Sequence, residues 1–453
     1  QRAPFPYNFP LYKEHTFDYN GDIETCRGGD GLKRVIFHVD VNSAFLSWEA
    51  VYRLHHLGGT LDLRTIPSAV GGDKEKRHGI ILAKSIPCKQ FGVQTGEPVT
   101  DAVKKCPGIV LVPPNYDLYN RSSKAMLGIL EQYTDKIERY SIDEAFLDMT
   151  GCTDDPVKTA NEMKDRIREE LGFTVNVGVS SVKLLAKMAS DFRKPDLVHT
   201  LWPEEIKEKM WPLPVRELFF VGGASERKLK GLGVHTIGQL AELPDKVVYG
   251  AMKSHGLLIK QYANGIDNSE VVTEAPVNKG YGNSLTTPKD VEDVYLAKQY
   301  LLSLAETVSA RLRADGAKVR VISVTIRDTN LVFSGHQITL DAATDLTVEI
   351  YEAACRCLDE FWDGRPVRHF GIHTSRVSME ENRQLSLFDV VDYEKQKKVE
   401  EAVDKLRKKF GQDIVKRASF LPPKGAKEAE IDHMGGGISR EKRTVDYEKE
   451  EIL

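Results

Sequence analysis

The sequence predicts an α/β protein built as an α+β multidomain chain, and three observations predict it. The dense apolar run Val35–Val41 (VIFHVDV) reads as a buried strand, and the segment after it carries apolar residues at helical spacing. A second pair of the same kind follows: the strand Thr174–Ser180 (TVNVGVS), then a helix from Ser181 to about Phe192. Strand-like and helical runs alternate again from about Asn278 to Ser378. With 453 residues, the chain has room for several units of about 100–200 residues each.

Composition sets limits. Hydrophobic residues make up 41% and charged residues 29%, so ordinary cores under a well-solvated surface are expected. The net charge of -4 gives no sign of nucleic acid, although a mildly acidic chain can carry a local basic groove. The six cysteines, Cys26, Cys88, Cys106, Cys152, Cys355 and Cys357, contain no C-x-x-C pair. Neither a disulfide framework nor a zinc knuckle is expected, and a reducing cytosol fits. No apolar run approaches the ~18 residues of a membrane span. The Pro- and aromatic-rich start lacks a secretory apolar region, and it opens on Gln1, as a trimmed chain does. A cytoplasmic protein without membrane contact follows.

Residues 1–33 read as an irregular extension. Ser43–Leu57 is a helix with Phe45, Trp48, Val51 and Tyr52 on its apolar side and Ser43 as N-cap. Gly and Pro break residues 58–115 into short strands and helices. Asp117–Tyr133 is a helix, and KIERYSIDEAFLDM gives two short β-like runs. Trp202 to about Gly265 reads as short helices with Gly turns. Lys318–Asp328 alternates as a half-exposed strand does. Glu380–Leu385 is a polar linker, Tyr393–Phe410 a charged helix, and the Gly-, Lys- and Glu-rich tail from Pro422 is expected to be disordered.

The carboxylates Asp40, Asp143 and Glu144 carry the chemistry. Asp40 ends the first strand. Strand neighbours point to opposite faces, so Asp143 and Glu144 serve one site only at a hairpin tip, with Ile137–Tyr140 and Ala145–Met149 as its arms. Clustered carboxylates raise one another's pKa, and divalent cations remove that penalty. Oxygen ligands select a hard ion such as Mg²⁺. Two ions about 3.5–4 Å apart can activate a 3′-hydroxyl and neutralise a departing pyrophosphate. Taken singly, each acid more often caps a turn or faces water.

The strings VIFHVDVNSAF, YSIDEAFLDMTG and VGVSSVKLLAKMASDFRKPD resemble the palm motifs of the Y-family DNA polymerases, the DinB/UmuC group. Pro113–Tyr119 (PPNYDLY) is most similar to the UmuC branch. The likeness covers about residues 34–420 in the right order. It implies a right-hand polymerase: palm 34–57 and 113–200, small fingers 58–112, helical thumb 201–270, α/β little finger 278–378, and a C-terminal part 379–453. It implies template-directed, low-fidelity synthesis past lesions by a monomeric core acting on primer-template DNA and dNTPs.

Residue by residue, the resemblance implies that Asp40, the Val41 carbonyl, Asp143 and Glu144 hold two Mg²⁺ ions. Ala44, Phe45, Lys89 and Lys194 would bind the nucleotide. Phe45, a core aromatic if read alone, takes the family's steric-gate place against a 2′-hydroxyl. Lys183, Lys187 and Lys194 share one side of a helix. Ile86 and Lys89 stand where the family often has Tyr and Arg, and Lys offers a point charge in place of a fork. Phe220–Leu243 resembles a helix-hairpin-helix, with Gly222, Gly223 and Lys228 toward DNA phosphates and Phe220 replacing a usual glycine. Lys279, Lys289, Lys298, Arg311, Arg313, Lys318, Arg320 and Arg327 supply a basic face. Gln384, Leu385, Leu387 and Phe388 resemble the peptide by which bacterial polymerases dock on the sliding clamp.

No second carboxylate set reads as a 3′→5′ exonuclease, so selection rests on one insertion step. The competing readings are another two-metal enzyme, a nuclease or a nucleotidyl cyclase, the latter superficially suggested by Gly71–Asp73 (GGD) in a polar loop without a cyclase's strand context, and a non-catalytic clamp-binding scaffold.

Overall fold

The structure is a computed structural model and describes residues 33–72, 79–274, 277–380, 393–421 and 431–435, with Val445 and Tyr447. The described residues fall into two compact units. The first holds 33–72 and 80–274 and takes in Val445 and Tyr447; the second holds Gly79, 277–380, 393–421 and 431–435.

In the first unit, β1 (Ile36–Val41) is buried along its whole length, as its β-branched run requires. Helix α1 (Ala44–His56) follows. Ser43 stands at its N-cap position but makes no side-chain cap; it is left-handed, φ 50°. The turn is held instead by Ser47, whose Oγ donates to Asn42 O at 2.6 Å. Next come β2 (Ser68–Gly71), β3 (Ile81–Lys84), α2 (Ile86–Gln90), α3 (Val99–Lys105) and β4 (Val110–Val112). They form a small sheet, order β3-β2-β4, over its own core of Ala69, Ile81, Cys88, Val93, Val99 and Ala102.

Helix α4 (Tyr116–Leu130) is capped by Asn115, whose side chain accepts from Leu118 N. Then follow β5 (Ile137–Arg139), β6 (Glu144–Asp148), α5 (Pro156–Leu171), β7 (Val175–Ser180), α6 (Lys183–Ser190) and β8 (Val198–Thr200). The main sheet is ordered β5-β6-β1-β7-β8, with β1 antiparallel to both neighbours. The unit closes with α7 (Gly223–Gly231), α8 (Ile237–Glu242) and α9 (Asp245–Ala263), which is kinked at Lys253. These helices pack around Leu229, Ile237, Leu240, Val248 and Ile259.

The second unit contains β9 (Gly282–Val291), α10 (Val294–Ala314), β10 (Lys318–Asp328), β11 (Phe333–Thr344), α11 (Thr347–Phe361), β12 (Val367–Ser378) and α12 (Tyr393–Phe410). Its sheet is ordered β11-β10-β12-β9, and Ile322, Val324 and Ile326 of β10 join the α10 and α11 core. The alternate residues Ser323, Thr325 and Arg327 stay partly exposed, as the alternation of that strand implied.

Four expectations need correction. Arg313 is not on a basic face: its side chain is buried, paired with Asp404 at 2.6 Å and with Glu400. Lys318 is buried too, its ammonium over the Tyr393 ring. The tail after Pro422 is not structureless throughout. Gly435 N donates to Ser303 Oγ at 2.7 Å, Thr307 Oγ1 donates to Gly435 O at 2.9 Å, and Tyr447 packs on α1. Cys88, Cys106, Cys355 and Cys357 are free thiols, but Cys152 is disulfide-bonded, against the all-thiol expectation. Residues 1–32, most of the GGDKEKRHG loop, and Gln384, Leu385, Leu387 and Phe388 lie outside the described residues.

One glycine sets the distance between helix and sheet. A Cβ on Gly178 of β7 would fall 1.9 Å from Ala186 O and 2.5 Å from Ser190 N, both backbone atoms of α6. Neither can yield without moving the helix. Gly178→Ala is expected to destabilise the first unit by about 3 kcal/mol, the upper end of what overpacking costs. Chemical denaturation measures this; an unchanged midpoint would mean that α6 is not held at this distance.

Candidate active site

The site lies where β1 ends. In the ladders Asp40 is directly opposite Glu144 of β6 and Asn176 of β7. Opposed residues of an antiparallel pair have Cα atoms about 4.5–5.5 Å apart, so Asp40 and Glu144 meet although far apart in sequence. The expected hairpin is present as β5 and β6. In its turn, the backbone N–H groups of Tyr140 and Ser141 both donate to Glu144 O, at 3.0 and 3.1 Å. Asp143 occupies the corner. Its carbonyl accepts from Val41 N at 3.0 Å, and its Oδ1 accepts from Ser141 Oγ at 2.6 Å. The corner lets consecutive acids approach one site, which a flat strand forbids.

Burial dominates the electrostatics. Asp40 is only 7% exposed. Burial pushes its carboxyl up to about 7, and Glu144 and Asp191 add to the rise, while Lys194 opposes it. Lys194 Nζ lies 2.8 Å from Asp40 Oδ2 and 2.8 Å from Asp191 Oδ1. Burial lowers the Lys194 ammonium, but these two carboxylates outweigh it and leave it above the ordinary lysine value. Glu144 Oε1 accepts from Lys187 Nζ at 2.8 Å. That ammonium sits over the Tyr140 and Phe219 rings, 5.7 and 5.6 Å from their centroids. Lys183 turns to Glu138 at 2.6 Å. Lys183 and Lys187 of α6 therefore face carboxylates of the sheet, not solvent, and Lys194 lies beyond the end of the helix, not on its side as expected.

Among the described residues, no three His, Cys, Asp or Glu side chains close on a common point as a metal cage. Lysines hold the carboxylates, and Asp143 turns to Ser141. The donor set nevertheless fits a divalent cation: it is all oxygen, it is half-buried, and Asp40 keeps a raised pKa because its lysine does not cancel the cost of burial.

Phe45, half-buried on α1, stacks on Tyr119 with centroids 4.5 Å apart and planes 7° apart; Tyr116 meets it edge-on at 5.8 Å. Ala44 is buried beside it. Lys89 is exposed on α2 and hydrogen-bonds to none of the three acids, and Ile86 is 48% exposed. Lys84 donates to Val93 O. Gly222 caps α7 and Gly223 begins it, with Lys228 exposed one turn on. A Cβ on Gly222 would meet nothing within 4 Å, so no internal packing demands glycine there.

Two site residues escaped the sequence reading. Asn176, opposite Asp40, donates to Ser190 O at 3.1 Å and Arg193 O at 2.6 Å, so it fixes the chain that leads to Lys194. His38 is fully buried, with Nδ1 2.8 Å from Ser190 Oγ and Nε2 4.0 Å from Glu144 Oε2. Burial, then Lys187, Lys194 and Lys183, keep its pKa well below the ordinary histidine value. The period of two on a strand puts His38 on the face of Asp40, and that signal could have found it.

The sequence matches the impB/mucB/samB family over residues 39–191, the C-terminal domain of that family over 278–387, and the IMS family HHH motif over 203–234. It is 42% identical over 392 residues to DNA polymerase IV of Clostridium acetobutylicum, spanning 86% of this chain and 99% of that protein. The chain belongs to the impB/mucB/samB family, the Y-family DNA polymerases. This Y-family chain is also 34% identical over 402 residues to DNA polymerase IV 1 of Bacillus subtilis, covering 88% and 95% of the two. Among solved structures it shares the fold of the Y-family DNA polymerase chimera Dbh-Dpo4(243-245)-Dbh, with TM-score 0.66 and 24% identity, over 76% of this chain and 100% of that one.

The raised Asp40 pKa has a stability consequence. Asp40 binds its proton near pH 7 when folded and near 3.8 when unfolded. The folded state binds more protons between these values, so this contribution to stability falls as pH rises from about 4 to 7. Asp40→Asn does not titrate. Its melting temperature relative to the unsubstituted protein is therefore expected to be higher at pH 8 than at pH 5, in buffer with chelator. A difference that ignores pH would show that Asp40 is ordinarily acidic.

Proposed function

We propose that this chain is a template-directed DNA polymerase of the DNA polymerase IV type, which adds deoxynucleotides to a primer 3′ end and continues past damaged template bases. The observation that carries this reading is the meeting of Asp40 and Glu144 across the β1–β6 ladder, with Asp143 pinned to Val41 beside them. The relatives bear the name DNA polymerase IV, which outweighs the likeness of the short PPNYDLY string to the UmuC branch.

In this reading the palm is 34–57 and 113–200, the fingers 58–112, the thumb 201–270 and the little finger 278–378. Asp40, the Val41 carbonyl, Asp143 and Glu144 hold two Mg²⁺ ions. When bound, Mg²⁺ acidifies the primer hydroxyl and offsets charge on the phosphates. The chain does the positioning. Lys194, on Asp40, is placed to meet the triphosphate, and Lys89 adds a point charge. Ala44 and Phe45 form the floor under the sugar, and Phe45 excludes a 2′-hydroxyl. Gly222, Gly223 and Lys228 approach DNA phosphates through the open start of α7. Of the basic residues expected on the face of the second unit, Lys279, Lys289, Arg311 and Arg320 are exposed, and Lys298 and Arg327 are half-buried. No second carboxylate set in the sequence reads as an editing site, so selection rests on one insertion step and copying is error-prone. Gln384, Leu385, Leu387 and Phe388 dock the enzyme on a sliding clamp, and the core acts as a cytoplasmic monomer.

Primer extension tests the reading. The unsubstituted chain should extend a primer opposite an abasic template site. Asp143→Ala should lose extension on damaged and intact templates alike, on the order of a thousandfold, because charge and positioning supply most of this catalysis. Cyclic product or degraded DNA in place of extension would refute it. Deletion of residues 384–388 should leave basal synthesis intact and abolish stimulation by the clamp; stimulation that persists would remove the docking role.

A further inference from the structure

A buried polar cluster behind α1 belongs to none of the roles above. Glu49 lies on α1 one helical turn beyond Phe45 and is fully buried, a costly place for a carboxylate. Arg53 Nε lies 2.8 Å from its Oε1. The hydroxyl of Tyr447, from the C-terminal segment, lies 3.1 Å from both Glu49 oxygens and donates to that carboxylate. The same hydroxyl accepts from Asn115 Nδ2 at 3.0 Å. Its ring is seated as well: Tyr52 lies 5.2 Å away between centroids, and the Arg53 guanidinium lies 5.5 Å from the ring centre.

The two partners of this hydroxyl sit on two different helices. Glu49 is on α1. Asn115 is the N-cap of α4, its Oδ1 accepting from Leu118 N at 3.0 Å. Those helices carry the two halves of the aromatic stack. Phe45 precedes Glu49 by four residues, and Tyr119 follows Asn115 by four, so each ring lies one turn from a Tyr447 contact. Tyr119 Oη is buried and makes no hydrogen bond among the described residues, and Glu49 and Tyr447 are among the groups whose charge acts on it. The stack and the Tyr447 bridge are two ends of one packed assembly.

We propose that Tyr447 is a positioning residue: its hydroxyl ties α1 to the cap of α4, and so fixes where Phe45 stands relative to the incoming sugar. The bond to a buried carboxylate is charge-assisted, roughly twice as strong as a neutral one, and Asn115 completes the chain. Removing the hydroxyl breaks this hydrogen-bonded tie between the helices while leaving both rings of the stack in place. The gate then loosens without losing its aromatic group. This inference rests on the reading of Phe45 as the sugar gate.

The test compares full-length Tyr447→Phe, a deletion of Thr444–Leu453, and Phe45→Ala with the unsubstituted chain. Single-nucleotide insertion gives kcat/KM for a dNTP and for the matching rNTP; melting is followed in parallel. Tyr447→Phe and the deletion should lower the dNTP-over-rNTP preference roughly tenfold, as slight misplacement at a distance does, with kcat for the dNTP little changed. A lowered melting temperature with full sugar preference means that Tyr447 only braces the fold, and overturns the inference. Tyr447→Phe keeps the ring in its seat, so it decides the matter even if the deletion fails to fold. If Phe45→Ala loses sugar preference and Tyr447→Phe keeps it, the gate stands and the inference fails. If Phe45→Ala keeps it, the gate reading fails first and takes the inference with it.

Discussion

Everything at this site depends on a buried carboxylate held where two antiparallel ladders cross one strand. Asp40 has Glu144 on one side and Asn176 on the other, and it is nearly enclosed. A charge in that place is costly unless an opposite charge comes to it. Helix α6 and the residues after it supply that charge, through Lys187 to Glu144 and Lys194 to Asp40. The offset is incomplete, as the raised Asp40 pKa records. A site that keeps its acids close while under-neutralised stays ready for a stronger cation.

Backbone packing serves the same electrostatics. Because Gly178 has no side chain, α6 lies directly on β7, and Lys187 can reach the far side of β1. His38 occupies the space between. Ser190 Oγ donates to Lys187 O at 2.8 Å, which uses its one proton, so His38 Nδ1 must donate to Ser190 Oγ. A ring kept neutral then turns a bare Nε2 toward Glu144, and that nitrogen has no hydrogen-bond partner among the described residues. The Lys187 ammonium, bonded to the same carboxylate, offsets this crowding of lone pairs.

Much of this was legible in the sequence, for definite reasons. The apolar run around Asp40 fixed a buried strand, and two short β-like runs around Asp143 fixed a hairpin, because strand burial and turn placement are local properties. The pairing partner of each strand is not local, so Asn176 and the Lys187–Glu144 contact could not be read. Periodicity placed the lysines on one side of a helix, but it tells which residues share a side, not what that side meets. Spread basic residues misled for the same reason: Arg313 and Lys318 are as basic in sequence as Lys279 and Lys289, yet they are buried against partners far along the chain.

Helix α12 makes that limit concrete. Its buried residues are Tyr393, Glu400 and Arg407, spaced seven apart on one face, and two of the three are charged. Apolar periodicity marks no buried side there. Each member nevertheless has a partner in the second unit: Tyr393 Oη donates to Asp345 Oδ1 at 2.5 Å, Glu400 accepts from Thr347 N and pairs with Arg313, and Arg407 Nη1 lies 2.8 Å from Glu306 Oε2. An apolar stripe could slide by a turn with little loss. A stripe of directional bonds cannot, since a shift of one turn would leave buried charges unpaired. The helix thus gains a fixed register more than stability.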